Sequence, residues 1–121
     1  MAQTQRFSKN FRLRKRADYL LMNSRSSGRM SLAGYTVVAR LNGGQVSRLG
    51  VTVTRRIGRA VVRNRLKRRV REFFRLNRYL WPQGLDILFI ARKHSADLWP
   101  PQPWEVARLE KFFRIKAGAP D

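Results

Sequence analysis

The chain has 121 residues, 43% of them hydrophobic, which suits one domain with a modest core. Its 27 lysines and arginines against seven acids give a net charge of +20, which favours a polyanionic partner, nucleic acid before a membrane. The absence of cysteine excludes disulfides, thiolate catalysis and cysteine-ligated zinc. Because no apolar run approaches the roughly 20 residues that span a bilayer and no secretory signal is evident, we expect a cytoplasmic protein without membrane contact.

The first third of the chain is predicted from local composition. We predict a single domain over 1–121, with a flexible basic arm at 1–11 and a flexible tail at 117–121. A short helix is expected at about 16–24, where Asp18 near the start suits the helix dipole. The serines and glycines of 26–34 predict a loop, within which 29–34 could form a short strand.

Two strands follow this region. Residues 35–41, YTVVARL, are rich in the β-branched residues typical of strands. In residues 48–54, RLGVTVT, a leucine and two valines alternate with glycine and threonines, which predicts a half-buried strand. Residues 42–45, NGGQ, predict a tight hairpin turn between the two strands, because Asn-Gly and Gly-Gly tolerate positive φ.

A long, strongly basic helix is predicted at about 59–80, with Gly58 before it and Trp81-Pro82 ending it. Apolar residues at helical spacing form one stripe: Val62, Leu66, Val70, Phe73, Leu76 and Leu80. Basic and polar residues are predicted on the far side: Arg63, Asn64, Lys67, Arg68, Arg71, Arg75 and Arg78. Arg65 and Arg69 are expected at the edges of the stripe, where their stems cover apolar surface.

The last two predicted elements complete the fold class. Residues 85–91, LDILFIA, predict a central strand covered on both faces. A helix at about 103–115 follows, with Val106, Leu109, Phe112 and Phe113 facing inward. The order α-β-β-α-β-α, with room for one more strand, predicts an α+β fold, a two-layer α-β sandwich in which helices pack on a small central sheet.

The sequence does not group the side chains of a protein active site. The acidic residues are scattered, and no pair has the spacing of the carboxylates that hold two Mg²⁺ ions in protein nucleases. His94 is the only histidine, and we interpret it as a loop residue after a strand. No glycine-rich phosphate loop is present. We therefore assign no catalytic residue and no metal ligand.

The basic residues have the character of a nucleic-acid surface. Between residues 55 and 78, every basic residue except Lys67 is arginine, whose planar guanidinium binds phosphate bidentately and stacks on bases. A surface made only for solubility would intersperse acids among them. Asn64, set among these arginines, can hydrogen bond to a base edge or a 2′-hydroxyl.

A second basic surface is predicted from the first half of the chain. Its residues are Arg12, Arg14 and Lys15 near Tyr19, and Arg55 and Arg56 after the strand at 48–54. An aromatic ring beside basic groups can stack on an unpaired base while the cations hold its phosphates.

Residues 48–74, RLGVTVTRRIGRAVVRNRLKRRVREFF, contain an Arg-Asn-Arg run at 63–65 followed by Leu-Lys-Arg. This segment closely resembles the signature of the bacterial ribonuclease P protein component. Residues 12–28 resemble the N-terminal helix region of that family, and residues 86–93, DILFIARK, resemble its last strand.

The resemblance implies a function that the residues alone do not give. The chain would be the small basic subunit of a ribonucleoprotein whose large RNA uses Mg²⁺ to remove the 5′ leader from precursor tRNA. The protein would then be the non-catalytic subunit of an endoribonuclease, with no bound cofactor and no protein partner. The resemblance also implies a left-handed β-α-β crossover, although such crossovers are overwhelmingly right-handed.

The resemblance further assigns two binding surfaces. The helix surface, expected to contact the catalytic RNA, consists of Arg59, Arg63, Asn64, Arg65, Lys67, Arg68, Arg69 and Arg71. The leader cleft, expected to hold the single-stranded leader, consists of Arg12, Lys15, Tyr19, Arg55 and Arg56. The family commonly has a second aromatic residue one turn after the position of Tyr19, where this chain has Asn23, so a two-ring platform is not expected.

Two other functions fit the charge and size of the chain. A ribosomal or other structural RNA-binding protein has the same composition, and only the segment 48–74 separates it from the first reading. A nuclease with its own active site would need grouped carboxylates, and the scattered acids argue against it.

Overall fold

A computed structural model describes residues 12–13, 22 and 27–118. The strands are β1 (Gly28–Leu32), β2 (Tyr35–Leu41), β3 (Arg48–Thr52) and β4 (Leu85–Ala91), and the helices are α1 (Ala60–Leu76), α2 (Ser95–Leu98) and α3 (Pro103–Lys116), with a 3₁₀ turn at Arg78–Leu80. The predicted basic arm, the predicted helix at 16–24 apart from Met22, and the last residues of the predicted tail lie outside the described residues.

The four strands form one mixed sheet in the order β1-β2-β4-β3. β1 pairs antiparallel with β2, β2 antiparallel with β4, and β4 parallel with β3. The predicted α+β class is therefore confirmed, and β1 occupies most of the segment that was predicted as a loop. The parallel pair β3–α1–β4 is the unit to which the predicted left-handed crossover applies, and its hand stays a prediction.

The hairpin predicted at 42–45 is wrong. β4 lies between β2 and β3, because its side chains, Asp86 excepted, are apolar on both faces and a central place in the sheet buries both. The loop instead crosses the beginning of β4, where the backbone N–H of Asn42 donates to the carbonyl oxygen of Gly84 at 2.9 Å. The actual hairpin joins β1 and β2 through Ala33 and Gly34, both at positive φ.

The helices α1 and α3 cover one face of the sheet, which we call the helix face. Its main core is built from Leu66, Val70 and Phe74 of α1, Leu109 and Phe113 of α3, and the inward residues of the strands, among them Val37, Val51, Ile87 and Phe89. The α3 prediction is confirmed, since Leu109 and Phe113 are buried and Val106 and Phe112 pack against the core. A capping box between Gln102 and Glu105 fixes the first turn of α3.

The predicted apolar stripe of α1 differs from the buried face by a rotation of the helix toward Phe74. Phe74 is buried and was not in the stripe, whereas Leu76, which was, is 66% exposed. The regular helix ends at Leu76 rather than at residue 80, because the backbone and side-chain amides of Asn77 both donate to the carbonyl oxygen of Phe73. The helix begins at Ala60, one residue after the predicted start, and Arg59 is its N-cap residue.

The second face of the sheet has a smaller core. Val38 and Leu88 are buried there together with Leu13 and Met22 from the beginning of the chain, and Ile90 packs against them. The backbone N–H of Leu13 donates to the carbonyl oxygen of Leu49 at 2.9 Å, so residues 12–13 run along the outer edge of β3. Leu13 and Met22 are thereby held on the face opposite α1.

Candidate nucleic-acid interface

The exposed side of α1 carries guanidinium groups with little acidic compensation. Asn64, Arg65, Arg68 and Arg69 are exposed, and Arg59 is exposed at the N-cap position. The first turn of the helix contains no acidic residue, so the positive end of the helix dipole adds to the field of these cations. Within the part of the chain that the structure describes, Arg65 and Arg68 form no ion pair, which leaves their charges available to an anion.

Two groups of basic residues on α1 differ in exposure from the prediction. Arg65 and Arg69 were predicted at the edges of the apolar stripe, but both are exposed, whereas Arg63, Lys67 and Arg71, predicted on the far side, are half-buried. The one-residue shift of the buried stripe toward Phe74 turns Arg65 outward and Arg63 inward.

Arg63 has a partner within the protein. Its Nη1 donates to the carbonyl oxygen of Gly58 at 2.8 Å, directly before the helix begins. The side chain of Val62 also packs against Gly58, where a Cβ would lie 3.1 Å from the valine. Arg63 therefore stabilises the entry into α1, and the groups that reach solvent from the Arg-Asn-Arg run are those of Asn64 and Arg65.

Glu72 is the only acid on α1, and Arg75 holds it. Arg75 Nε donates to Glu72 Oε1 at 2.8 Å, and a second hydrogen bond joins Arg75 Nη2 to Glu72 Oε2. These hydrogen bonds lower the pKa of Glu72, so the carboxylate stays ionised at neutral pH. Because Glu72 pairs with Arg75, it does not compensate the charges of the arginines nearer the start of the helix.

Three residues of the predicted leader cleft take different positions. Arg12 is half-buried beside Leu49 at the beginning of β3. Arg55 and Arg56 are exposed in a turn after β3, closed by a hydrogen bond from the Ile57 N–H to the Thr54 carbonyl oxygen at 3.0 Å. Leu49, beside Arg12, and Thr54, where the turn with Arg55 and Arg56 begins, are about 16 Å apart if the chain rises ~3.3 Å per residue. Lys15 and Tyr19 lie outside the described residues, as does Asn23.

A groove lies beside Arg56, and we call it the sheet groove. It encloses about 780 Å³ and is lined by Thr54, Arg56, Ile90, Arg92, Lys93 and His94, among others. Its lining is mainly apolar, and its charged residues are Arg56, Arg92 and Lys93 against the single acid Asp97, a combination that suits an unpaired base with its phosphate. Arg92 was not singled out from the sequence as a site residue. Its signal was the Ala-Arg-Lys that ends the last strand.

The described residues also bear on His94, on metal binding and on membrane spans. His94 is an exposed loop residue after β4, as predicted. No group of three histidine, cysteine or carboxylate side chains among residues 12–13, 22 and 27–118 is placed to hold a metal ion. No helix in that part of the chain is both long and apolar enough to cross a membrane.

Comparison with known proteins decides the family. A family model described as ribonuclease P matches residues 7–113. This chain belongs to the ribonuclease P protein family. The resemblance that the sequence carries in residues 48–74 is thereby confirmed.

Individual ribonuclease P proteins match most of the chain. The ribonuclease P protein component of Desulfatibacillum aliphaticivorans is 42% identical over 114 residues, which cover 93% of this chain and 94% of the relative. The RNase P protein from Thermotoga maritima, a solved structure, superposes with a TM-score of 0.64 at 37% identity and covers 91% of this chain and 98% of its own. The RNase P protein of Staphylococcus aureus superposes with a TM-score of 0.65 at 25% identity, covering 88% and 94%.

Proposed function

We propose that this chain is the RNA-binding protein subunit of ribonuclease P. In this role it assists a catalytic RNA in the endonucleolytic removal of the 5′ leader from precursor tRNA, in the cytoplasm. Its part is to bind the leader and to stabilise the RNA, while the active site and its Mg²⁺ ions belong to the RNA. The protein needs no cofactor of its own, and its partners are the catalytic RNA and precursor tRNA.

The observation that carries this proposal is the exposed face of α1 in a ribonuclease P family chain. Arg65, Arg68 and Arg69 present guanidiniums to solvent, and the one acid of the helix is engaged by Arg75. Guanidinium groups in this setting bind RNA phosphates and release the condensed counterions, which drives association at low salt. The catalytic RNA is the partner we assign to this face.

The sheet groove, at the ends of β3 and β4, is the surface we assign to the leader. It offers a mainly apolar lining together with Arg56 and Arg92. A single-stranded leader can place a base on the apolar lining and its phosphates on the cations. Lys15 and Tyr19 belong to this proposal by their positions in the sequence, and Arg12 contributes at the other end of β3.

The two surfaces together suggest how the protein supports an RNA enzyme. The catalytic RNA and its substrate are both polyanions and repel each other. A cationic protein that contacts both lowers this repulsion, so the complex forms and reacts with less Mg²⁺. The protein contributes position and charge, and the chemistry stays with the metal ions held by the RNA.

The test is cleavage of a precursor tRNA at low Mg²⁺ by the protein alone, the cognate RNA alone, and the two together. We expect cleavage only from the mixture. Cleavage by the RNA-free protein would overturn the proposal and reveal an active site in the chain. If the protein left the activity of the RNA unchanged, the chain would instead be a structural RNA-binding protein.

A further inference from the structure

A second groove lies at the tip of the β1–β2 hairpin, and we call it the Trp104 groove. It encloses about 580 Å³ between the hairpin and the first turn of α3, lined by Thr36, Arg92, Leu98, Trp104 and Arg108, among others. Trp104 is 61% exposed, whereas Trp81 and Trp99 pack against the core. An exposed aromatic ring beside basic side chains is able to stack on an unpaired base.

The charges of this groove favour an anionic partner. The Arg108 guanidinium lies over the Trp104 ring, with its central carbon 5.8 Å from the ring centroid. Arg92 Nε donates to Thr36 Oγ1 at 2.9 Å, which anchors a second guanidinium at the opposite wall. A ring flanked by two arginines is the arrangement that stacks an unpaired base and holds its phosphates.

The one acid that lines the groove is held by backbone N–H groups, and the two arginines outnumber it. Glu105 Oε1 accepts a hydrogen bond from the backbone N–H of Gln102, and its Oε2 accepts one from the N–H of Ala33, each at 2.9 Å. The carboxylate is thus committed to the start of α3 and to the β1–β2 turn. An acidic protein segment would find the same cations, but the exposed ring of Trp104 favours a nucleotide, whose base can stack on it.

Arg92 connects this groove with the sheet groove, because it lines both. A strand that lies between Arg56 and Arg92 can therefore continue past Arg92 toward Trp104 without leaving a basic surface. We propose that Trp104 stacks on an unpaired base of the precursor's 5′ leader, beyond the nucleotides held in the sheet groove. Arg92 and Arg108 hold the adjoining phosphates. This inference rests on the proposed function and extends its leader site.

The proposal makes the affinity depend on leader length, and Trp104 supplies the stacking part of that dependence. A leader that ends within the sheet groove does not reach Trp104, while one several nucleotides longer does. Base stacking on an aromatic ring is worth about 5- to 150-fold in affinity. The longer leader should therefore bind more tightly by a factor in this range, and Trp104→Ala should remove that gain.

The experiment measures binding of two precursor tRNAs, with a short and a long leader, to the protein assembled with its cognate RNA. Trp104→Ala should lower the affinity for the long leader only, and Trp104→Phe should keep most of it. Tyr79→Ala is the matched control, because Tyr79 is also an exposed ring but lies after α1, away from both grooves. Thermal unfolding of each variant confirms that the fold is intact.

Two outcomes would overturn the inference. Equal losses for short and long leaders in Trp104→Ala would mean that the ring contacts another part of the RNA, and an unchanged affinity for both would mean that it contacts no RNA. Failure of the proposed function is distinguishable, because the wild-type mixture would then not cleave precursor tRNA with either leader. The Arg65→Ala variant should weaken both leaders alike, since α1 is assigned to the catalytic RNA.

Discussion

Arg48, the first residue of β3, binds Asp86 of β4 through two parallel hydrogen bonds. Nε lies 2.9 Å from Oδ1 and Nη2 lies 2.7 Å from Oδ2. The carboxylate is 1% exposed, whereas the Arg48 side chain is 31% exposed. Asn42 Nδ2 donates to the same Oδ1 at 3.0 Å, so the pair also holds the loop that crosses from β2 to β3. This polar cluster fixes the parallel pairing on which the position of α1 depends.

The two partners of this pair should therefore differ in the effect of their removal. Arg48→Met leaves a buried carboxylate without its cation and should lower the free energy of unfolding by about 3–5 kcal/mol. Asp86→Asn leaves a guanidinium that reaches water and should cost less. Chemical denaturation of both variants measures the difference. Equal losses would contradict the asymmetry in burial.

We expect the buried Tyr35 to make the free energy of unfolding fall at alkaline pH. Burial raises its pKa to about 12, while the neighbouring Ser95 hydroxyl and the charge of Arg69 oppose part of that rise. An unfolded tyrosine loses its proton near pH 10. Between about pH 10 and 12 the unfolded state therefore binds fewer protons than the folded state, and the free energy of unfolding falls by about 1.4 kcal/mol per pH unit.

Tyr35→Phe isolates this contribution. The Tyr35 hydroxyl is buried and has no hydrogen-bond partner of normal geometry among the described residues, so its removal should change the stability at pH 7 by less than about 1 kcal/mol. Denaturation curves between pH 8 and about 12 should fall less steeply for the variant. Parallel curves for the two proteins would exclude Tyr35 as the titrating group.

The local patterns of the sequence predicted the elements but not their pairing. β2 and β4 occupy the predicted residues, because their apolar and β-branched patterns act within each strand. The turn residues at 42–45 predicted a β2–β3 hairpin from equally local chemistry. That prediction failed because β4, apolar on both faces, takes the central place from a distance of more than 30 residues along the chain.

The sequence predicted which residues make α1 basic, but it predicted less well which of them face solvent. The basic character of α1 follows directly from its residues, but Phe73 and Phe74 are adjacent, and either could end the apolar stripe. The structure buries Phe74, which decides that Arg65 is exposed and Arg63 is not. The Trp104 groove joins residues of the β1–β2 hairpin, of the segment after β4 and of α3, so no local pattern could reveal it.

Arg65 should contribute a phosphate contact that depends on salt. Arg65→Ala should weaken binding to the cognate RNA and make the dependence of log K on log salt shallower by about one unit per lost contact. Arg75→Gln is the control on the same helix, because Glu72 already holds that guanidinium, and its slope should stay near that of the wild type. A slope for Arg65→Ala that matches the wild type would remove Arg65 from the phosphate contacts.

Arg56 should act on the leader rather than on the body of the tRNA. Arg56→Ala removes a cation from the lining of the sheet groove and should weaken binding of precursor tRNA more than of mature tRNA, by about 1 kcal/mol. Arg114→Gln is a suitable control, since Arg114 lies on α3 near Glu110 and should affect both RNAs little. Equal losses for both RNAs in Arg56→Ala would assign Arg56 to the tRNA body or the catalytic RNA.

Arg63 should act through the fold, in contrast to Arg65. Because its guanidinium bonds the Gly58 carbonyl oxygen at 2.8 Å, Arg63→Gln should lower the free energy of unfolding by about 1–2 kcal/mol. Arg65→Gln, at an exposed position, should change it by less than about 0.5 kcal/mol. RNA binding should weaken in both variants, but only Arg65→Gln should make the salt dependence shallower. If Arg63→Gln kept the wild-type stability and lost as much salt dependence as Arg65→Gln, Arg63 would be a phosphate contact in its own right.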